Sequence, residues 1–275
     1  EKTIDCFTRL RPFFADCLRK MKALGHLDLE SRKGKAPGGY NCPLAESGAP
    51  FIFMNAAGQL DDVTTMVHEG GHAIHSFLAH PLELNGFKEY PTEIAEVASM
   101  SMELFSMDHW DVFFDSPEEL RRARTQQLER VITIFPWIAT IDKFQHWAYE
   151  HPQHTVEERR AKWSEILNEF TSSELDVSGL EEYRAYGWQR QLHLFEVPFY
   201  YIEYGIAQLG AIGLWQQYKA NPDKALDNYE QALSLGGTRT LPQLFAAAGL
   251  VFDLSPDHIR GLMQFVDQEL NHLEK

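Results

Sequence analysis

Residues 64–77 read TTMVHEGGHAIHSF. The apolar spacing is that of an amphipathic helix, yet two adjacent glycines, Gly70 and Gly71, interrupt it, and His68, Glu69, His72 and His75 surround them. On a helix, residues four apart lie one above the other, so His68 and His72 point the same way. His68-Glu69-Gly70-Gly71-His72 fits the H-E-x-x-H pattern. Two imidazoles in that geometry can bind one zinc ion. Zinc lowers the pKa of a bound water to about 7, and Glu69, beside the first ligand, can take its proton. Each mid-helix glycine costs about 1 kcal/mol relative to alanine. Close packing of a second helix is the ordinary reason for such a pair. Passage of another backbone or of substrate near the metal is the functional one, and the two are compatible. Histidines on helices are more often surface or core residues, so the motif needs support from elsewhere in the chain.

A catalytic zinc site requires a third protein ligand and an open position. Residues 92–110, TEIAEVASMSMELFSMDHW, read as a second helix, far enough beyond His72 for a turn and an antiparallel return. Glu93, Glu96 and Glu103 lie near one face of it. One of them can bind the metal while the others orient the ligating histidines through their second ring nitrogens. A solvated acidic face is the alternative, but Ala95 and Ser99 on that face suit close approach to a glycine-bearing helix. His75 is expected to be a core residue or a support behind the ligands, and no ligand itself.

Working outward, PFIFMN at 50–55 reads as a strand, with Asp61 and Asp62 as N-cap candidates for the metal helix and Pro81 as its stop. Residues 5–24 show helical spacing, and 31–41, SRKGKAPGGYN, read as a loop. Helices are expected over 117–150, kinked at Pro136, and over 155–171, opened by a Thr155/Glu158 capping box. Further helices are expected over 198–219, 222–235 and from Ser255–Pro256 to the end. The fold class is therefore mainly α, with a small β region before the histidine helix, and residues 1–275 are read as one catalytic domain.

The net charge of -15 argues against nucleic-acid and anionic-membrane partners. The longest apolar run, VITIFPWIATI at 131–141, is too short to span a bilayer. Three cysteines at unremarkable spacing suggest reduced thiols and a cytoplasmic location. The chain begins at Glu1 without a methionine or signal peptide, which suggests a piece or processed form of something longer.

HEGGHAIH followed by EIAEVASMSMELF resembles the oligoendopeptidase F branch of the thimet-oligopeptidase family of zinc metallopeptidases. KGKAPGGY (33–40), HLFEVPFYYIEYGIAQLGA (193–211) and LPQLFAAAGL (241–250) extend the likeness over nearly the whole chain. The resemblance implies a helical zincin-type catalytic domain, one Zn2+ per chain, and His68, His72 and Glu96 as its ligands. It implies short peptides as substrates and an N-terminal helical domain, absent here, that walls the active-site channel. The missing N-terminal half is thus an expected partner. It also implies that a histidine and tyrosines of the downstream segment bind substrate and stabilise the oxyanion. His193, Tyr200 and Tyr204 are the first choices, with Tyr201 as a substrate contact. Read from residues alone, those tyrosines are more readily an aromatic core stripe, and it is the resemblance that reverses this. Pro198 suits the first turn of their helix, on which Tyr200 and Tyr204 share a face.

Two further substrate contacts are expected. The 50–55 strand, with Phe53, can receive a peptide along its edge. The Gly38, Gly39, Tyr40 segment can act as a substrate loop or be a plain connection. Three functions compete: a zinc endopeptidase for short peptides, a related H-E-x-x-H carboxypeptidase, and a catalytically silent zinc-binding interaction domain.

Overall fold

The computed structural model describes residues 1–273. The chain opens with α1 (Lys2–Leu10) and α2 (Pro12–Leu24), where one helical stretch was expected. Pro12 separates them. Its ring forces Arg11 into an extended conformation, φ -161° and ψ 128°, and it then serves as a first-turn residue of α2. Gly25, in the left-handed region at φ 73°, closes α2.

Three short strands follow: β1 (Leu27–Glu30), β2 (Tyr40–Cys42) and β3 (Phe51–Ala56). The expected strand is thus present, but two partners were read as loop or missed. The sheet order is β1-β3-β2, with β3 parallel to β1 and antiparallel to β2. PFIFMN is therefore the central strand, paired on both sides, and cannot receive a peptide along its edge. The register against β1 shifts between Asp28 and Glu30. There the buried Lys35 ammonium donates to the carbonyls of Asp28, Glu30 and Met54 and to Asp28 Oδ1. Asn55 Nδ2 donates to the carbonyls of Ala36 (2.8 Å) and Gly38 (2.9 Å). These bonds fix the 35–39 segment onto the sheet.

The histidine helix is α3 (Leu60–Ala79). Its N-cap is Gln59, two positions ahead of Asp61, the first of the expected aspartates. Asp62 instead reaches back to accept from the backbone N–H of Ala57, Gly58 and Gln59. After α4 (Asn85–Lys88) comes α5 (Thr92–Ser106), which tightens into a 3-10 segment at Met107–Val112. Then follow α6 (Pro117–Glu150), α7 (Val156–Glu169), α8 (Glu181–Ala185) and α9 (His193–Glu196). The chain closes with α10 (Tyr201–Ala220), α11 (Pro222–Ser234), α12 (Leu241–Ala247) and α13 (Pro256–Leu273). The Thr155/Glu158 capping box forms as expected. Pro198 does not open a helix. Phe199 takes a positive φ of 61° and α10 starts at Tyr201, leaving Tyr200 outside it.

Two compact units are present. The first comprises 1–128 and 207–275, and the second 129–206. In the first, Phe7, Phe14, Phe105, Trp110 and Tyr229 are fully buried around α3 and α5. In the second, Trp163 centres a core of Ile138, Ile141, Phe144, Ile166, Trp188 and Tyr201. No described helix is long and apolar enough to cross a membrane.

Candidate metal centre

The two glycines of α3 are explained by packing. A Cβ on Gly71 would lie 2.6 Å from the carbonyl oxygen of Ala98 and 2.7 Å from Cα of Ser99. A Cβ on Gly70 would meet the ring of Phe7 at 2.8 Å. The backbone of α5 thus rests directly on Gly71, and this contact brings Glu96 to the histidines.

His68 and His72 stand edge to face, ring centres 4.9 Å apart. Glu96 Oε2 lies 3.4 Å from His68 Nε2 and 3.7 Å from His72 Nε2. One donor atom from each of the three residues falls within 4.8 Å of the others. Donors placed about 2.1 Å from one tetrahedral ion stand roughly 3.4 Å apart, so the set matches zinc with little adjustment. Ser99 Oγ donates to Glu96 Oε2 at 3.0 Å, which holds the carboxylate in that pose.

A second row of contacts fixes the rings. Glu103 Oε1 accepts from His68 Nδ1 at 2.6 Å, which leaves Nε2 to face the centre. Gln127 Nε2 donates to Glu103 Oε2 at 2.6 Å, and Thr64 Oγ1 donates to Gln127 Oε1 at 3.4 Å. His72 is hydrogen-bonded to the backbone of Ala95. Glu103 therefore orients the His68 ring. Glu93 makes no hydrogen bond or ion pair among the described residues, contrary to the supporting role expected for it. His75 is also no support. It is fully buried, its nitrogens have no hydrogen-bond partner, and its ring stacks on Tyr90 at 3.5 Å. Burial drives its pKa well below the usual value, so it is a neutral core residue.

Electrostatics favours a cation here. Glu69, Glu96 and Glu103 surround two imidazoles. Burial opposes charge on His68, yet its hydrogen bonds to Glu103 and Glu96 hold its pKa well above the ordinary range. Burial likewise works against ionised Glu96, but His68 and His72 bring it down to about 2. Burial lowers His72 to about 4, leaving its lone pair available. Burial also raises Glu69 to about 7, and its Oε2 has no hydrogen-bond partner. An isolated carboxyl with a pKa near neutrality, beside a metal-type donor set, suits a general base.

The predicted substrate segment lies near that base. A Cβ on Gly39 would stand 3.4 Å from Glu69 Oε1 and 3.2 Å from Thr65 Cγ2. Gly38 has a φ of 95°, a conformation that favours glycine. Tyr40, half exposed, stacks on Phe53 with ring centres 4.9 Å apart, and Lys35 Nζ sits 4.3 Å over the same Phe53 ring. Phe53 is thus engaged by both neighbours.

A family model, peptidase family M3, matches residues 14–262. The chain belongs to peptidase family M3. Among curated members it is similar to chromosomal oligoendopeptidase F of Lactococcus lactis subsp. cremoris, at 26% identity over 260 residues, covering 90% of this chain and 41% of that protein. Oligopeptidase PepF of Bacillus subtilis strain 168 is 25% identical over 260 residues, with 90% of this chain and 37% of that one covered. A solved structure, PZ peptidase A with inhibitor 2, superposes with a TM-score of 0.92 at 29% identity, over 99% of this chain and 48% of that chain. The chain thus spans less than half the length of these relatives.

In the second unit, His193, Tyr200, Tyr201 and Tyr204 do come together. Tyr204 Oη lies 3.3 Å from His193 Nε2. The Trp137 indole N–H donates to Gln191 Oε1 at 3.2 Å, so the Gln191 amide nitrogen faces His193 Nδ1 at 2.6 Å as a donor. This network assigns the proton of neutral His193 to Nε2. Tyr201 is buried in the unit's core, which removes it as a substrate contact.

Gln127 was invisible to motif reading, and Ala95 and Ser99 were read only as small packing residues, not as hydrogen-bond partners of His72 and Glu96. Gln127 lies on α6, distant in sequence from both metal helices, and an isolated glutamine carries no pattern. Ser99 could have been found, since the small residues at 95 and 99 already marked that face.

The ligand assignment has a direct check. Glu96→Ala should lose most bound metal on gel filtration, followed by elemental analysis, while Glu93→Ala should retain it. The reverse order would show that the wrong carboxylate was chosen. Glu103→Gln and Gln127→Leu should each weaken metal affinity by about 10–100-fold in competition with a chromophoric chelator, because they release the His68 ring. Unchanged affinity in both would mean that the ring is held otherwise.

Proposed function

We propose that this chain is the catalytic portion of a zinc metallo-oligopeptidase that cuts internal bonds of short peptides. The observation that carries the reading is the unpartnered Glu69 carboxyl beside the His68, His72 and Glu96 donors. A zinc ion held by those donors would polarise the scissile carbonyl and make a water acidic enough to act near neutral pH. Glu69 Oε2 takes the proton as that water attacks, then returns it to the leaving amine. Glu103 and Gln127 keep the His68 ring from turning. Family resemblance assigns His193, through Nε2–H, and Tyr204 or Tyr200 as donors to the developing oxyanion.

The edges of the sheet are β1 and β2, not β3, and β2 is the more exposed of the two. A peptide lying along Tyr40–Cys42 would be held by main-chain bonds, which reads backbone more than side chain and suits broad specificity. The polypeptide that relatives carry beyond the matched share is the partner that would enclose the site and restrict substrate length. The free cysteines Cys6, Cys17 and Cys42 favour a cytoplasmic setting.

The test is mass spectrometry of a mixed pool of short peptides incubated with the zinc-loaded chain, alone and with the N-terminal portion of a family-type chain added. Internal cuts abolished by a chelator are expected. Removal of single C-terminal residues would select a carboxypeptidase, and no cleavage in either mixture would refute the peptidase reading.

A further inference from the structure

We propose that a cavity in the second unit binds a free carboxylate carried on an apolar group, the C-terminal end of a peptide being the ligand class it fits. The choice of a peptide rests on the function proposed above, while the site's chemistry rests on its own residues.

The cavity measures about 400 Å³ and is walled by Phe144, Ala148, Trp188 and Phe195. The Trp188 and Phe195 rings are stacked at 5.6 Å, and Phe144 lies 5.8 Å from Trp188. Such walls suit an aromatic or branched apolar side chain. A site of this volume holds a ligand of one or two residues.

Arg159 supplies the charge. Its guanidinium carbon lies 5.5 Å from the centre of the Trp188 ring, and its Nε donates to His154 Nε2 at 2.8 Å. His154 Nδ1 faces the carbonyl of His151 at 2.5 Å and donates to it, so His154 accepts from Arg159 as a neutral imidazole. The guanidinium is thus oriented without being neutralised, and among the described residues no carboxylate pairs with it. Within the same unit Lys143 pairs with Glu169 and Lys162 with Glu165, Arg184 donates to Asn168 and Thr171, and Arg160 and Arg190 lie over the Tyr186 and Trp137 rings.

Two unpartnered donors lie buried behind this wall. Gln145 is 3% exposed. Its Oε1 accepts from the Phe199 backbone at 3.0 Å, but its Nε2 has no partner. The indole N–H of the buried Trp188 has none either. A cation without a carboxylate partner at an apolar cavity calls for acceptor oxygens, and the planar guanidinium fork matches a carboxylate best.

The test is calorimetric titration of the full chain, freed of metal by a chelator so that no ion competes for the carboxylate. The probes are N-acetyl-L-phenylalanine and its C-terminal amide. The acid should bind at least about tenfold tighter than the amide. Arg159→Gln should bring the acid down to the level of the amide, and Arg159→Lys should fall between. Equal binding of acid and amide, an unchanged Arg159→Gln, or no binding of the acid up to about 10 mM would overturn the proposal. The acid–amide comparison on the unaltered chain needs no variant to fold. No turnover is read, so failure here leaves the peptidase reading standing, and failure of that reading leaves this site standing.

Discussion

Glu69→Gln should retain its metal and lose about 10³-fold in kcat on any peptide the parent cleaves. The substitution preserves volume and leaves His68, His72 and Glu96 untouched. It removes the only group at the centre that combines a buried carboxyl, a pKa raised to about 7 and an oxygen without a partner. The amide can neither take a proton from the attacking water nor return one to the amine. Metal content by elemental analysis and kcat from a quenched fluorescent peptide give the two readouts. Turnover within a few-fold of the parent, with metal present, would mean that another base does the work. Folding should be unharmed, because a buried carboxyl that burial strains toward protonation is replaced by a neutral group of the same shape.

Gly71→Ala should destabilise the chain by about 2 kcal/mol and disturb metal retention at the same time. Alanine is favoured over glycine inside a helix by about 1 kcal/mol, which alone predicts a gain. Against this, the new methyl would stand 2.6 Å from the Ala98 carbonyl oxygen and 2.7 Å from Ser99 Cα. These are backbone atoms of α5 and cannot rotate away. The Ala98 carbonyl also accepts from Tyr229 Oη at 2.9 Å, so displacing it strains a buried hydrogen bond. Overpacking typically costs 1–3 kcal/mol, and contact with a backbone on both sides belongs at or above the upper end, so overlap outweighs propensity. Glu96 sits two and three residues before the contacted atoms, so parting the helices carries it off the histidines. Gly70→Ala meets only the edge of the Phe7 ring and should do less harm. Urea midpoints of the two variants decide the matter. A Gly71→Ala midpoint above that of the parent would show that the helices can separate freely.

The chemistry of the centre was largely legible in the sequence. The four-residue spacing of His68 and His72 is fixed by helix geometry, which is local. The clustering of Glu93, Glu96 and Glu103 on one face follows from the same periodicity, but not their division of labour. Glu96 and Glu103 were brought to the histidines by where α5 crosses α3, while Glu93, a turn earlier, falls short of them. The two glycines signalled a close approach without saying of what, and the answer is the α5 backbone. Local signals failed for a different reason at 5–24, where the apolar rhythm outran a proline that breaks the helix at Arg11, and at Pro198, where a left-handed Phe199 delays the helix to Tyr201.

By itself the sequence determined the metal-type helix, the glutamate that adjoins its first histidine and the mainly helical class, because each rests on contacts between residues a turn apart. The tertiary structure alone decided that PFIFMN is a central strand, that Gln127 holds Glu103, that His75 and Tyr201 are core, and that Arg159 faces a cavity without a carboxylate. Those features arise where surfaces far apart in the chain bury one another. The partner of a buried polar group is set by that burial, and no local pattern encodes it.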